Sequence, residues 1–224
     1  MKLYTHPIST TCRPIMMFAA EQGIPLDMQV VDLFTGEHTK APYGAINPNH
    51  LIPVLEDGDF QLTESPAIMK YLAEKAGSPL YPKDLQQRAR VNERMDWINT
   101  QLGREFCYGV VYPQIFPHHK RRSAEAQEAT LQWGKEHAQR WLKVLDENIL
   151  GPGNNYLCGD SLTIADFYGA AFLTLGEVVG CRFSDYPNVQ RWLGRMKALK
   201  SWKQVNETLD GVVAANKDKS FVSI

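Results

Sequence analysis

Ile8-Ser9-Thr10-Thr11-Cys12-Arg13-Pro14 is the junction about which the first part of the chain is arranged. Upstream of it, the apolar run Met1–Tyr4 reads as a short buried strand, Lys2–Thr5, leading into Thr5-His6-Pro7. Downstream, the apolar residues from Ile15 to Ala20 continue as a helix until Gly23 and Pro25 stop it. A helix over about Cys12–Gln22 is therefore expected. Pro14 suits its first turn, where a missing N–H has no partner to lose. That first turn also carries unpaired N–H groups and a partial positive charge. A hydroxyl placed there, such as that of Ser9, favours an anion docked beside it. The spacing Ser9-x-x-Cys12 is that of a redox C-x-x-C turn whose first thiol has become a hydroxyl. Such a turn has given up its own nucleophile, so a thiolate has to come from a ligand.

The 224 residues amount to one large domain or two small ones. A hydrophobic share of 44% and a charged share of 22% are those of an ordinary globular protein. A net charge of −1 gives no electrostatic basis for binding nucleic acid or an acidic membrane surface. No apolar run approaches the roughly 18 residues of a membrane span. Met1 leads straight into a strand without a signal-peptide pattern, so a cytoplasmic location is expected. Cys12, Cys107, Cys158 and Cys181 show neither disulfide nor zinc spacing, so reduced thiols and no metal are expected.

In order, the chain then offers a second strand at Asp27–Asp32 and a polar loop from Thr35 to Pro48, with a short turn around Ala41–Ala45. Two more short strands follow, Ile52–Glu56 and Phe60–Leu62, about the hairpin turn Asp57-Gly58. Ser65 as N-cap and Pro66 at the first helical position open a helix that ends at Gly77. Ser78-Pro79-Leu80-Tyr81-Pro82 reads as a linker, and no strand pattern survives beyond it. Val91, Met95, Ile98 and Leu102 predict a long helix from Gln86 to about Tyr112, broken by Pro113 and Pro117. Further helices are expected at Ala124–Ile149, Asp166–Val179, Val189–Leu199 and about Val205–Val213. Thr163-Ile164-Ala165-Asp166 forms a capping box with Asp in the usual place of Glu, a structural role. The expected fold class is thus α/β plus all-α: a βαβ-ββα domain over residues 1–77, a linker over 78–84, and an all-helical domain over 85–224.

The order βαβ then ββα resembles the thioredoxin-like arrangement. With the motifs laid end to end, the chain resembles the cytosolic glutathione S-transferases, nearest to the theta and delta classes and their bacterial relatives. The resemblance rests on Ser9–Arg13, Gly36-Glu37-His38, Asn47 to Pro53, Thr63-Glu64-Ser65, and Gly159 to Asp166. It implies that Ser9 hydrogen-bonds the sulfur of glutathione and lowers the pKa of a thiol that is otherwise near 8.5. Thr10 and Thr11 are rival hydroxyls, Cys12 is a rival thiol or a small packed residue, and Arg13 and the helix N-terminus would add to the field. Ile52-Pro53 matches the family's cis-proline, which leaves the Ile52 backbone to pair with the cysteinyl unit. Glu64 suits the γ-glutamyl ammonium, and Ser65 suits its carboxylate. His38, His50 and Leu51 fall where the family binds the glycyl carboxylate, although each histidine read alone is a surface-loop residue. Leu51 replaces a lysine of theta members, Pro66 an arginine of delta members, and Thr100 an aspartate that reaches across the dimer in some relatives.

Arg104, Phe106, Tyr108, Tyr112 and Phe116 read either as an apolar wall with one cation for the second substrate, or as interdomain core. His118-His119-Lys120-Arg121-Arg122 reads as a solvated loop. The activity implied is glutathione transfer to a small electrophile by a homodimer, with glutathione as co-substrate. The alternatives are glutathione-dependent reduction of peroxides or disulfides assisted by Cys12, and a non-catalytic partner-binding protein.

Overall fold

Strands end at Leu62, and everything after them is helical. The computed structural model describes all 224 residues. β1 (Lys2–Thr5), α1 (Arg13–Gln22) and β2 (Asp27–Val30) make a parallel βαβ unit in which Leu3 lies opposite Met28. β3 (Val54–Asp57) runs antiparallel to β1, with Val54 opposite Tyr4. β4 (Phe60–Leu62) pairs with β3, Leu62 opposite Leu55, so the sheet order is β2-β1-β3-β4. The loop expected to hold only a turn contains α2 (Ala41–Ile46). α3 (Ser65–Lys75) closes the unit.

Three boundaries differ from the sequence expectation, each because a local group overrides the pattern. β2 stops at Val30, shortly before Asp32 turns its carboxylate back to accept from the Phe34 and Thr35 N–H groups at 2.9 and 3.1 Å. β3 starts only after Pro53, which has no N–H to give a ladder. Glu64, not Ser65, is the N-cap of α3, and Ser65 is its first residue, buried.

The helical half opens with a rod running from Leu85 to Ile115. It is α-helical over α4 (Leu85–Trp97), then π-helical over Ile98–Leu102 and Arg104–Val111, then α-helical again over α5 (Tyr112–Ile115). Pro113 therefore does not end the rod as expected: it falls in the first turn of α5, where the wide turns tighten and no N–H is missed. α6 (Ala124–Val144) crosses this rod with the Gly109 and Gly134 backbones in contact. α7 (Ile164–Thr174) is buried at every position; α8 (Pro187–Lys197) packs against it, and α9 (Lys200–Asn216) packs on α1 and on the turn Leu175–Val179 that follows α7. At its start Asp166 accepts from the Thr163 N–H at 2.8 Å, the carboxylate half of the expected capping box. It also takes the Leu157 N–H and the Trp192 indole N–H.

One hydrophobic core runs through both halves, and Phe18 of α1 meets Phe167 of α7 edge-on at 6.0 Å. Arg13 stitches the same junction. Its side chain is fully buried and donates to Asn206 Oδ1 at 2.7 Å, Thr174 Oγ1 at 3.2 Å and the Ala171 carbonyl. Ala171 and Thr174 lie in the last turn of α7, the negative end of its dipole, which favours a cation. The expectation that Arg13 supports a thiolate at the turn is thus corrected: its guanidinium is committed to the helical half.

Candidate functional site

The register places three loops at one end of the sheet. β1 ends there, β3 begins there opposite Tyr4, and β4 runs toward it into Glu64. The segments at Ser9, Ile52 and Glu64 therefore gather around one edge.

In the turn after β1, the Ser9 carbonyl accepts from the Cys12 N–H at 3.2 Å and the Arg13 N–H at 3.0 Å. The Ser9 hydroxyl oxygen accepts from the same Cys12 N–H at 3.3 Å and lies 3.1 Å from Thr11 Oγ1. Thr11 gives its own proton to the Ile52 carbonyl at 3.2 Å. With the Thr11 proton on the Ile52 carbonyl, Ser9 is the donor across this pair, and rotation of its hydroxyl can pass that one proton from Thr11 to a ligand. Thr10 is buried, and its oxygen accepts from the Tyr112 hydroxyl at 3.2 Å. Cys12 is fully buried, and burial pushes its thiol pKa up.

Opposite this turn, Ile52-Pro53 is a cis peptide, and the Ile52 N–H makes no backbone bond. The loop before it is fixed by two residues to which sequence reading gave no role of their own. Buried Asn47 donates to the Leu51 carbonyl at 2.6 Å and accepts from the Asn49 N–H at 3.0 Å. Tyr43, also buried, donates to the same carbonyl at 2.8 Å. The Asn47-Pro48 dipeptide was the available signal, since Asn before a turn bonds its own backbone. The Leu51 side chain is exposed. His38 and His50 are brought together: His50 Nδ1 lies 3.0 Å from the His38 carbonyl. His50 and Glu64 hold φ of 56° and 66°, a region costly for side-chain-bearing residues and tolerated where neighbours over-determine it. Glu64 is exposed, whereas Ser65 beside it is buried at the opening of α3.

The aromatic wall is partly as expected. Tyr108 and Tyr112 meet edge-on at 4.8 Å, and Tyr112 meets Phe116 at 5.3 Å. Tyr108 is 54% exposed, and the Tyr112 hydroxyl joins this wall to the Ser9 turn through Thr10. Burial first, then Cys107 and the Glu64 carboxylate, raise the Tyr108 phenol pKa. Phe106 is not part of the wall: it is fully buried against Phe183. Arg104 stands out in solvent. Its side chain is 76% exposed, with only Glu105 nearby at 3.9 Å.

Residues 8–75 match the glutathione S-transferase N-terminal domain family, and residues 106–200 match the corresponding C-terminal domain family. Human glutathione S-transferase theta-1 is 33% identical over 201 residues, 88% of this chain and 82% of that protein. The solved structure of human glutathione transferase theta-2 in complex with glutathione superposes with a TM-score of 0.82 at 29% identity, spanning 100% of this chain and 93% of that one. A delta-class glutathione transferase from Nilaparvata lugens gives 0.79 at 31% identity, over 96% of this chain and 98% of that one.

Proposed function

The chain belongs to the glutathione S-transferase family and is a glutathione transferase, and from that premise we propose that Ser9 is the hydroxyl that activates the glutathione thiol. Bound as a thiolate, the sulfur attacks an electrophilic carbon, and the leaving group departs or an activated double bond is saturated. The observation that carries this reading is the Ser9 hydroxyl, its oxygen fixed by the Cys12 N–H and its proton held only by Thr11, from which a ligand sulfur can take it. A charge-assisted donor at a helix N-terminus favours the anion over the thiol.

The other roles follow from chemistry. The free Ile52 N–H pairs with the cysteinyl backbone. Glu64 takes the γ-glutamyl ammonium, and Ser65 with the opening of α3 takes its carboxylate. His38, His50 and the backbone at Leu51 take the glycyl carboxylate. Thr10 positions the turn through Tyr112, while Tyr108, Tyr112 and Phe116 receive the electrophile. Arg104 is left with a rim role. Residues 1–77 are then the glutathione domain, 78–84 the linker and 85–224 the electrophile domain. Buried, protonated Cys12 does not favour the reductase alternative, and family membership does not favour the partner-binding one. The functional unit proposed is a homodimer, which light scattering reads against 25.4 kDa for one chain.

Ser9→Ala tests the central role. Losing one charge-assisted donor removes roughly 1.5–3 kcal/mol of preference for the anion. The pKa of bound glutathione, read by ultraviolet titration, should therefore rise by about one to two units. Conjugation should be slow at neutral pH and recover as pH rises, with glutathione affinity nearly unchanged. An unchanged pKa and a normal rate would remove Ser9 from the mechanism.

A further inference from the structure

From the sequence, His118 to Arg122 reads as a solvated loop, and at His119 the structure overturns that reading. His119 closes the short turn Pro117–His119, its N–H bonded to the Phe116 carbonyl at 3.0 Å. Its half-buried ring lies 5.1 Å from the Tyr112 ring and 5.4 Å from the Tyr108 ring, edge-on to the latter. Neither ring nitrogen finds a hydrogen-bond partner in the chain. Burial, then the neighbouring His118 and Arg121, hold its pKa below the ordinary value. At neutral pH the imidazole is thus uncharged, with one N–H donor and one acceptor. The other polar atoms of the wall are differently placed. The Tyr112 hydroxyl is committed to Thr10, Arg104 is out in solvent, and Tyr108 is more than half exposed.

We infer that His119 is a specificity-determining residue of the second-substrate site, selecting aromatic electrophiles that carry an uncharged hydrogen-bond acceptor such as a carbonyl or nitro group. The inference rests on the transferase reading above, which makes the tyrosine wall the electrophile site. An aryl body is stabilised by offset and edge-on contact with the tyrosine rings. The imidazole N–H then satisfies the acceptor, and an electrophile lacking one leaves that donor unpaired. His118 differs: it is exposed and stacks on Phe116 at 5.7 Å, without ring contact to either tyrosine.

The test compares benzyl chloride with its para-acetyl analogue at saturating glutathione. His119→Phe keeps an aromatic ring in the wall and removes the donor. It should lower kcat/KM for the acetyl compound about five- to tenfold, the worth of one neutral hydrogen bond, and leave benzyl chloride within about twofold. His119→Gln, which keeps a donor, should restore part of the loss, and His118→Phe should match wild type. Equal losses on both electrophiles, or none on the acetyl compound, overturn the inference while leaving the transferase reading intact. Wild-type protein that conjugates neither compound would strike the transferase reading itself, and the inference with it.

Discussion

His6 stands at the end of β1 with its Nδ1 accepting the Ile8 N–H at 3.3 Å, one residue ahead of Ser9. The ring is buried and packs edge-on to Phe34 at 5.4 Å. Burial lowers its pKa, and the Asp32 charge offsets only part of that. The folded protein therefore favours neutral His6 more than the unfolded chain does. Stability from this group is complete above the unfolded value of about 6.5 and is lost as pH falls through the lower folded value. Protonation also removes the acceptor that fixes the Ser9 turn. Between pH 7.5 and 5.5 the urea midpoint of the wild type should fall, and that of His6→Leu should fall less. Parallel profiles would show that His6 does not titrate in this role. Residue identity told much less about direction. Ser9 and Arg13 sit four apart in one turn, yet the Ser9 hydroxyl stays at the loop while Arg13 runs into the helical core. Only the partners it meets there, Ala171, Thr174 and Asn206, decide between an anion site and a clamp, and they lie more than 150 positions away in the chain.

Helix periodicity was legible because each helix buries one face, and it located the longer helices to within a few residues, except α9, which begins five residues before and ends three residues after the expected Val205–Val213. Which helix meets which was not legible, because periodicity names a face and not its partner. Gly134 illustrates this. In the sequence it is a weak spot in α6, whereas in the fold it is where α6 touches the rod that carries Tyr108 and Tyr112. A Cβ on Gly134 would lie 2.5 Å from the Gly109 carbonyl oxygen, and backbone cannot rotate away. Gly194 in α8 is an opposite case, since a Cβ there meets nothing within 4 Å. Replacing glycine by alanine inside a helix is worth about 0.5–1 kcal/mol where space allows. Gly194→Ala should therefore stabilise the protein by about that amount. Gly134→Ala carries an overpacking cost of about 1–3 kcal/mol, which outweighs the same gain. It should lower the thermal midpoint and raise KM for the electrophile as the wall shifts, with KM for glutathione little changed. If both alanines stabilise equally, the two backbones are not in contact in solution.

The division into a mixed half and a helical half was plain in the sequence, since no alternating pattern survives beyond the linker at 78–84. The ordered motifs also pointed to the family. What the sequence hid is that the halves share one core, because the contacts that join them pair residues far apart in the chain. Leu3 and Leu55 of the sheet belong to the same buried cluster as Phe167 and Trp192. The Phe18–Phe167 contact, the Arg13 clamp and the Tyr112–Thr10 bond all cross the junction. Because the apolar burial is continuous across the two halves, the chain is expected to unfold in one step. The protein offers a test, because all five tryptophans lie from Trp97 onward, in the helical half. Far-ultraviolet dichroism reports on both halves. The two urea transitions should coincide. Arg13→Met leaves the Ala171 carbonyl, Thr174 and Asn206 without their buried donor, at about 1–3 kcal/mol. Its midpoint should drop while the two probes still coincide, since the apolar contacts across the junction remain. A fluorescence midpoint that separates from the dichroism midpoint in the wild type would mean two cores. Separation only in Arg13→Met would mean that this one guanidinium, and not the shared apolar surface, couples the halves.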